Sequence, residues 1–169
     1  MKLDPSRFAS HLAVYVAIYN DDGELLLERR GEMSGYLVGF WDLPGGHVDE
    51  GESIVATAMR ELEEETSVIA KTDDLKLVAI IRRDMDVPYT DFIFVTKKWG
   101  GVPRIMEPDK CDGMNWFPTD KLPDKLTSVC RMYQQKNFGS ELTFHHMNTK
   151  KFEELMGGEY DPISKTIKH

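Results

Sequence analysis

The stretch "GGHVDEGESIVATAMRELEEETSV", residues 45–68, places two glycines ahead of a strongly acidic segment. From Ser53 onward, apolar residues recur at the spacing of an amphipathic helix: Ile54, Val55, Ala58, Met59 and Leu62. Serine is a residue type that commonly caps a helix N-terminus, and Ser53 stands directly before this pattern. The stretch therefore predicts a glycine turn followed by a helix that ends near Thr66 and Ser67.

The acidic face of this helix indicates a metal site. Glu61, Glu64 and Glu65 are spaced i, i+3 and i+4, so their side chains share one face. Like charges this close are destabilising without a counterion. Mg²⁺ prefers oxygen ligands and typically binds one or two carboxylates together with substrate phosphates. The cluster favours a site that holds Mg²⁺ against a polyphosphate, although a glutamate-rich face considered alone is more often simply solvated.

The spacing around the helix resembles the Nudix box, G-x5-E-x7-R-E-U-x-E-E-x-G-U, in which U is a bulky aliphatic residue. The matching residues are Gly46, Glu52, Arg60, Glu61, Leu62, Glu64, Glu65 and Val68. A chance match at the specified glycine and charged positions has odds of roughly 1 in 10⁵ from average residue usage. One position departs from the pattern, because Ser67 stands where the family has a glycine at the end of the helix. A left-handed conformation is common there and is costly for serine.

The resemblance implies a Nudix-type α/β/α sandwich, with a mixed β-sheet between helices. It also implies a hydrolase that uses metal-activated water to cleave a phosphoanhydride in a nucleoside diphosphate linked to another moiety. The implied cofactor is Mg²⁺ or Mn²⁺, and the implied partner is a small nucleotide. Carried over to this sequence, the metal ligands are Glu61, Glu64, Glu65, Glu52 and the Gly45 carbonyl. The implied catalytic residues are Glu61, which activates water, Glu64, and Arg60, which orients a neighbouring carboxylate.

Residues outside the helix are expected to contact the substrate, and the candidates are Arg29, Arg30, Trp41, Gly46 and Asp109. Arg29 and Arg30 end a predicted strand and point in opposite directions, so one of them can reach a phosphate. The ring of Trp41 can stack on a base, although core packing is the commoner role of such an aromatic.

A loop after the last long strand carries three more acids, Glu107, Asp109 and Asp112. Nudix enzymes often take a further acidic residue from this region. The sequence leaves open which of the three completes the metal site.

Apolar and β-branched runs predict strands on both sides of the helix: 11–19, 24–30, 40–44, 76–83, 91–99 and 114–118. A turn at Asn20–Gly23 predicts that the first two strands form a hairpin. Pro44 and the two glycines after it are expected to stop the third strand. A second helix is expected after Pro123, and weak signals from residue 139 onward predict a poorly ordered tail over 157–169.

The whole chain favours one domain over residues 1–169, with a core at about 10–135 and a C-terminal extension to which the sequence assigns no role. A net charge of −8 argues against a nucleic-acid polymer as partner. No long apolar span or signal peptide is evident, and two cysteines imply no disulfide framework. We therefore expect a cytoplasmic protein without a membrane partner. The sequence does not decide whether it is a monomer or a homodimer.

Within the Nudix family, the phrases "WDLPGGHVDEGES" and "EPDKCDGMNWFPTDKLP" resemble MutT-like (deoxy)nucleoside triphosphate pyrophosphatases. Many ADP-ribose hydrolases have a proline about 15 residues past the position of Ser67, whereas the nearest one here is Pro88. Two alternatives stay open. One is a pyrophosphatase of ADP-ribose or another nucleotide derivative, and the other is a Nudix-like domain that senses a nucleotide without hydrolysing it.

Overall fold

The computed structural model describes residues 9–136, 141–161 and 166–168. Within them the elements follow in this order: β1 (His11–Ile18), β2 (Leu25–Arg30), β3 (Trp41–Asp42), β4 (Gly45–His47), α1 (Ile54–Thr66), β5 (Lys76–Asp84), β6 (Tyr89–Thr96), β7 (Cys111–Phe117), α2 (Ser128–Lys136), β8 (Thr143–Asn148), α3 (Thr149–Met156), β9 (Glu159–Asp161) and β10 (Thr166–Lys168). Short 3-10 turns occur at Glu32–Ser34 and Thr72–Asp74. None of the helices described is long and apolar enough to cross a membrane.

The predicted mixed sheet is present. Its strand order is β4-β1-β6-β5-β8, with β1–β6 and β5–β8 parallel and the other pairs antiparallel. A second, antiparallel sheet has the order β3-β2-β7, and β9 pairs with β10.

Two apolar cores hold the helices against these sheets. One core packs Leu62 of α1 against Val14 and Val16 of β1 and Leu26 of β2. The other core surrounds Ile81 and Ile93 of the mixed sheet and includes buried residues of α2 and α3: Val129, Cys130, Met132, Tyr133, Phe152, Leu155 and Met156. Because α1 and the α2–α3 pair pack on different cores, the sheets lie between helices, which confirms the predicted α/β/α arrangement.

Two local predictions about the strands are wrong. The turn at Asn20–Gly23 forms, but β1 and β2 belong to different sheets and are joined only by a bridge between Tyr19 and Leu25. Both edges of β1 are already paired, with β4 and with β6, so β2 has no edge left to join. The third strand does end before Pro44, but the two glycines do not form the predicted turn, since they belong to β4 beside β1.

The ends of α1 match the prediction. The Ser53 hydroxyl accepts a hydrogen bond from the backbone N–H of Ala56 at 3.2 Å, so Ser53 is the N-cap. Ser67 ends the helix at φ 61° and ψ 14°, in the left-handed conformation. The substitution of serine for the family's glycine therefore places a Cβ where the backbone favours glycine.

Residues after 140 add to the fold. Strand β8 extends the mixed sheet beside β5, and Met147 and Phe152 are fully buried in the larger core. The predicted poor order of 157–169 concerns in part residues 162–165 and 169, which lie outside the described residues. Strand β8 and helix α3 are thus part of the folded domain.

Candidate functional site

A cleft of about 620 Å³ is lined by residues of β1, β2, β4, α1 and β5 and by the loops beside them. Four glutamates face it: Glu28 from β2, Glu61 and Glu65 from α1, and Glu107 from the loop before β7. Strand pairing of β4 with β1 holds Gly45 against α1, where its N–H donates to Oε2 of Glu65 at 2.8 Å. The predicted helix and the glycine strand β4 are thereby joined at one end of the cleft.

The carboxylates of the cleft lie close enough together to shift one another's protonation. Burial raises the pKa of Glu65 well above its usual value, and the neighbouring charge of Glu28 raises it further. Burial likewise raises the pKa of Glu28 to about 7. The pKa of Glu61 is raised by burial, against the opposing effect of Arg60. This is a site in which negative charge is poorly compensated by the protein itself.

Sequence reasoning missed Glu28. Its side chain is 7% exposed, and its Oε1 has no hydrogen-bond partner among the described residues. In the strand "LLLERR" it shares a face with buried Leu26, so strand alternation was the signal that could have revealed an inward-pointing acid. A buried acid without a hydrogen-bond partner calls for one.

Arg60 lies at the centre of the acidic helix. Its Nη1 donates to Glu61 at 2.8 Å and to Glu64 at 3.0 Å. Its Nε and Nη2 donate to the two carboxylate oxygens of Glu52 at 3.1 and 3.0 Å, and Nη2 also reaches the His47 carbonyl at 3.1 Å. Those bonds, with one from a threonine, lower the pKa of Glu52 to about 2. Arg60 thus contacts the carboxylates of Glu52, Glu61 and Glu64, which is the kind of contact that the resemblance implies.

The structure divides the predicted ligands into two groups. Glu61, Glu65 and Gly45 line the cleft. The Glu64 side chain is 56% exposed and, like Glu52, is bonded to Arg60. The i, i+3, i+4 spacing predicts three carboxylates on one face of the helix. Of these three, Glu61 and Glu65 line the cleft and Glu64 does not.

Gly46 makes room for the carboxylate of Glu61. A Cβ built on Gly46 would lie 2.3 Å from Oε1 of Glu61. At Gly45, which has φ 155°, a Cβ would lie 2.0 Å from the backbone oxygen of Val14. A side chain at Gly45 would therefore clash with the backbone of β1, whereas one at Gly46 would force the Glu61 side chain to move.

The carboxylates of the cleft are the type of ligand that a divalent cation prefers. As the side chains stand, no group of three or more His, Cys, Asp or Glu residues in the described part of the chain is arranged to hold a metal ion. The donor set is nonetheless that of a hard cation: glutamate oxygens with raised pKa values, one of them a buried oxygen of Glu28 that lacks a partner. The residues available to hold the cation are Glu28, Glu61, Glu65 and Glu107.

The predicted substrate contacts lie partly in the cleft. Arg30 lines it, donates to the carbonyls of Tyr36 and Ser34 at 2.7 and 3.2 Å, and stands 3.7 Å from Asp42. Arg29 reaches the cleft as well, but its Nε is bonded to Asp112 at 2.6 Å.

Trp41 lies away from the cleft, in a shallower depression beside Arg29. Its ring packs edge-on against Phe117, with the ring centroids 4.9 Å apart. This position favours the core-packing role over base stacking.

Among the three loop acids, Glu107 is the one that faces the cleft, where it accepts hydrogen bonds from Lys110 at 2.9 and 3.0 Å. Asp112 is the partner of Arg29, and the backbone carbonyl of Asp109 accepts a hydrogen bond from Met33. The cleft therefore selects Glu107 as the neighbour of the other carboxylates.

A second group in the cleft escaped sequence reasoning. Arg83 of β5 lines the cleft and pairs with Asp91 of β6, which is fully buried. The sequence pattern places both residues in predicted strands and assigns them no further role. The available signal was Asp91, an acid that alternates with Ile93 and Val95 on one face of its strand.

Comparisons with known proteins agree on one family. The family model described as NUDIX domain matches residues 9–132. A Bacillus subtilis protein named "Putative 8-oxo-dGTP diphosphatase" is 44% identical over 109 residues, which cover 64% of this chain and 67% of that protein. The Shigella flexneri "Uncharacterized Nudix hydrolase YfcD" is 26% identical over 71% of this chain and 63% of its own length. The chain thus spans about two thirds of these relatives.

Solved structures show the same fold. The crystal structure of a MutT NUDIX hydrolase from Burkholderia pseudomallei superposes with a TM-score of 0.69 and 27% identity. The match covers 76% of this chain and 98% of that one.

Proposed function

This chain belongs to the Nudix hydrolase family, and from that premise we propose that it hydrolyses a (deoxy)nucleoside triphosphate to the monophosphate and pyrophosphate. One observation carries the proposal: four glutamates face one cleft beside the Gly45–Gly46 strand, and burial raises the pKa of two of them, Glu28 and Glu65. The Bacillus relative named for a deoxynucleoside triphosphate supports this substrate class.

The cation of the reaction would be held by Glu28, Glu61, Glu65 and Glu107, with the Gly45 carbonyl as a further candidate. The chemistry that Mg²⁺ or Mn²⁺ supplies in such a site is neutralisation of phosphate charge and a lowered pKa of water. Glu64 and Glu52, which the family likeness also assigns to metal, are held by Arg60 in this structure and act in our proposal by fixing the arginine.

Proton transfer is assigned to Glu61. Its carboxylate lines the cleft, and burial raises its pKa toward the neutral range, where a general base is most effective. Arg60 donates to the same carboxylate at 2.8 Å and so positions it. Arg30, anchored to two backbone carbonyls, and Lys110 are the cations available to contact phosphate oxygens.

Water is the nucleophile in this proposal. Cys111 lines the cleft, but burial raises the pKa of its thiol to about 11, so the thiolate that nucleophilic attack requires is scarce at neutral pH. One water molecule and one triphosphate give one monophosphate, one pyrophosphate and a proton, without a covalent enzyme intermediate.

The test is hydrolysis of a nucleotide panel in ¹⁸O-labelled water with Mg²⁺. The panel covers normal and oxidised nucleoside triphosphates, ADP-ribose, diadenosine polyphosphates, NADH and nucleotide sugars. We expect pyrophosphate and monophosphate as the first products of a triphosphate, with label in one of them, and no turnover in excess EDTA.

Other outcomes identify the alternatives. Orthophosphate as the first product, or turnover of ADP-ribose with triphosphates left intact, contradicts the triphosphate pyrophosphatase. Tight nucleotide binding without turnover of any substrate in Mg²⁺ or Mn²⁺ supports the nucleotide-sensing domain. A trapped phosphorylated side chain contradicts direct attack by water.

A further inference from the structure

The side chain of Arg83 is held in place by two neighbouring side chains, Asp91 and Tyr89. Its Nη2 donates to Oδ1 of Asp91 at 2.8 Å, and its Nε stands 2.6 Å from Oδ2 in a close ion pair that lacks hydrogen-bond alignment. The ring of Tyr89 lies against the guanidinium, with 4.5 Å between the arginine Cζ and the ring centroid. One edge and one face of the guanidinium are therefore fixed.

Strand pairing explains this geometry. Tyr89 is the register partner of Arg83, while Asp91 lies opposite Ile81, two residues earlier on β5. Side chains two residues apart on a strand share a face, so Arg83 meets Asp91 diagonally across the pair. The Asp91 side chain is completely inaccessible, whereas Arg83 keeps 13% of its side chain exposed, where it lines the cleft.

Stability does not account for a buried pair of this kind. Replacing a buried ion pair by apolar side chains of similar volume is often neutral or stabilising. In the part of the chain that the structure describes, Asp91 is the only hydrogen-bond acceptor found for Arg83, and an arginine has five N–H donors. Donors not taken up by Asp91 belong to a side chain that opens on the cleft.

The chemistry of the pair selects the acceptor. The charge of Arg83 is balanced at contact distance by Asp91, so the site offers directed N–H donors with little net positive charge. Such donors suit a neutral acceptor, while the negative charge of phosphate suits the cation that the glutamates would hold. Apolar and aromatic side chains line the same cleft and suit a planar ring: Met33, Tyr36, Met85, Val87 and Tyr89.

We propose that Arg83 is a specificity-determining residue that recognises a carbonyl group on the substrate's nucleobase. An arginine can only donate hydrogen bonds, so it can donate to O6 and N7 of a guanine-type base, whereas adenine presents at position 6 an amino group that is itself a donor. The enzyme therefore prefers bases with a keto group at position 6 over adenine. This inference rests on the proposed triphosphate hydrolysis and deepens it by naming the base class.

The test compares dITP with dATP, which differ at position 6 in carrying a carbonyl or an amino group. We expect kcat/KM of the wild type to favour dITP by at least ~10-fold, the discrimination typical of a good arginine–base contact. Arg83→Met lowers kcat/KM for dITP by a similar factor of about 10 and leaves dATP within about 3-fold, so the ratio collapses. Arg82→Met is the matched control, because Arg82 is the next residue on the strand, pairs with exposed Asp84 and lies outside the cleft lining.

A second variant protects the test against misfolding. Arg83→Leu combined with Asp91→Leu removes both charges, so no buried carboxylate is left unpaired. Its base ratio should collapse as in the single variant while its circular dichroism spectrum matches the wild type. An unchanged ratio of dITP to dATP in this folded variant overturns the proposal, whereas a purely structural role of the pair predicts equal losses for both substrates.

Binding of dIMP and dAMP by calorimetry in EDTA separates this inference from the proposed function, because it needs no turnover. If triphosphates are hydrolysed but the wild type shows no preference for dITP, the base assignment falls and the function stands. If no triphosphate is hydrolysed, a preference for dIMP that Arg83→Met abolishes still supports the role of Arg83. Equal binding, or no binding, of the two monophosphates then overturns it.

Discussion

The two charged groups that line the cleft differ in how their charge is balanced. On the helix α1 side, Glu61 and Glu65 lie with Glu28, and burial raises the pKa of each of these carboxyl groups. On the β5–β6 side, Arg83 and Asp91 form a one-to-one ion pair. Arg60 contacts Glu61, but Glu28 and Glu65 have no ion-pair partner among the described residues, while the second group has both charges in place.

This difference separates two kinds of recognition. Carboxylates with raised pKa values gain most from a ligand of opposite charge, which is the requirement of metal-dependent phosphate chemistry. A balanced pair gains little from net charge and offers hydrogen-bond direction instead. The same cleft can thus hold the charged and the neutral ends of one nucleotide.

The largest effect is expected when the ion pair of Arg83 and Asp91 is broken, and it should appear in the stability of the protein. Asp91→Leu leaves Arg83 with an unpaired charge in a largely buried position and should cost about 3–5 kcal/mol of unfolding free energy. The measurement is urea denaturation. The double variant with Arg83→Leu should regain most of that loss. A single variant as stable as the wild type would show that the ion pair is not buried as described.

The acidic group should respond in activity rather than in stability. Glu65→Gln preserves the shape of the side chain but removes the charge that a cation requires, so kcat should fall at least ~100-fold, equivalent to about 2.7 kcal/mol. Glu63→Gln, on the same helix but exposed, is the control and should retain wild-type kcat. Equal kcat values in the two variants would remove α1 from the active site.

A smaller loss is expected from the glycine that gives Glu61 its room. Gly46→Ala would place a Cβ 2.3 Å from the Glu61 carboxylate, which must then rotate away from Arg60. We expect kcat to fall by about 10-fold, the scale of a displaced general base. At Gly100 the nearest atom to an added Cβ is 4.0 Å away, so Gly100→Ala should leave kcat unchanged. Full activity of Gly46→Ala would mean that the placement of Glu61 is not needed.

The smallest effect concerns the end of α1. Because Ser67 has φ 61°, Ser67→Gly relieves backbone strain and should raise the unfolding free energy by up to ~1 kcal/mol without changing kcat. Ser53, at the other cap of the helix, has an ordinary φ of −86°. Ser53→Gly should therefore lower the unfolding free energy, by ~0.3 kcal/mol. A destabilised Ser67→Gly variant would reveal a role for the serine hydroxyl.

Features that depend on residues close together in the sequence were predicted correctly, and features that depend on distant residues were not. The limits of α1, its two caps and the contact of Arg60 with neighbouring glutamates depend on residues a few positions apart, and these predictions match the structure. The hairpin of β1 and β2 failed because the partner of a strand is chosen across the whole sheet, and β1 is occupied on both edges. Local turn signals carry no information about that competition.

The sequence by itself determined the acidic helix and its left-handed serine, because helical spacing and backbone preference act within a few residues. The tertiary structure alone decided that Glu28 and Glu107 join Glu61 and Glu65 in one cleft, and that Glu64 does not line it. It also decided the pairing of Arg83 with Asp91. These outcomes depend on which strands become neighbours and which face of each strand is buried, and both are set by packing among segments far apart in the chain.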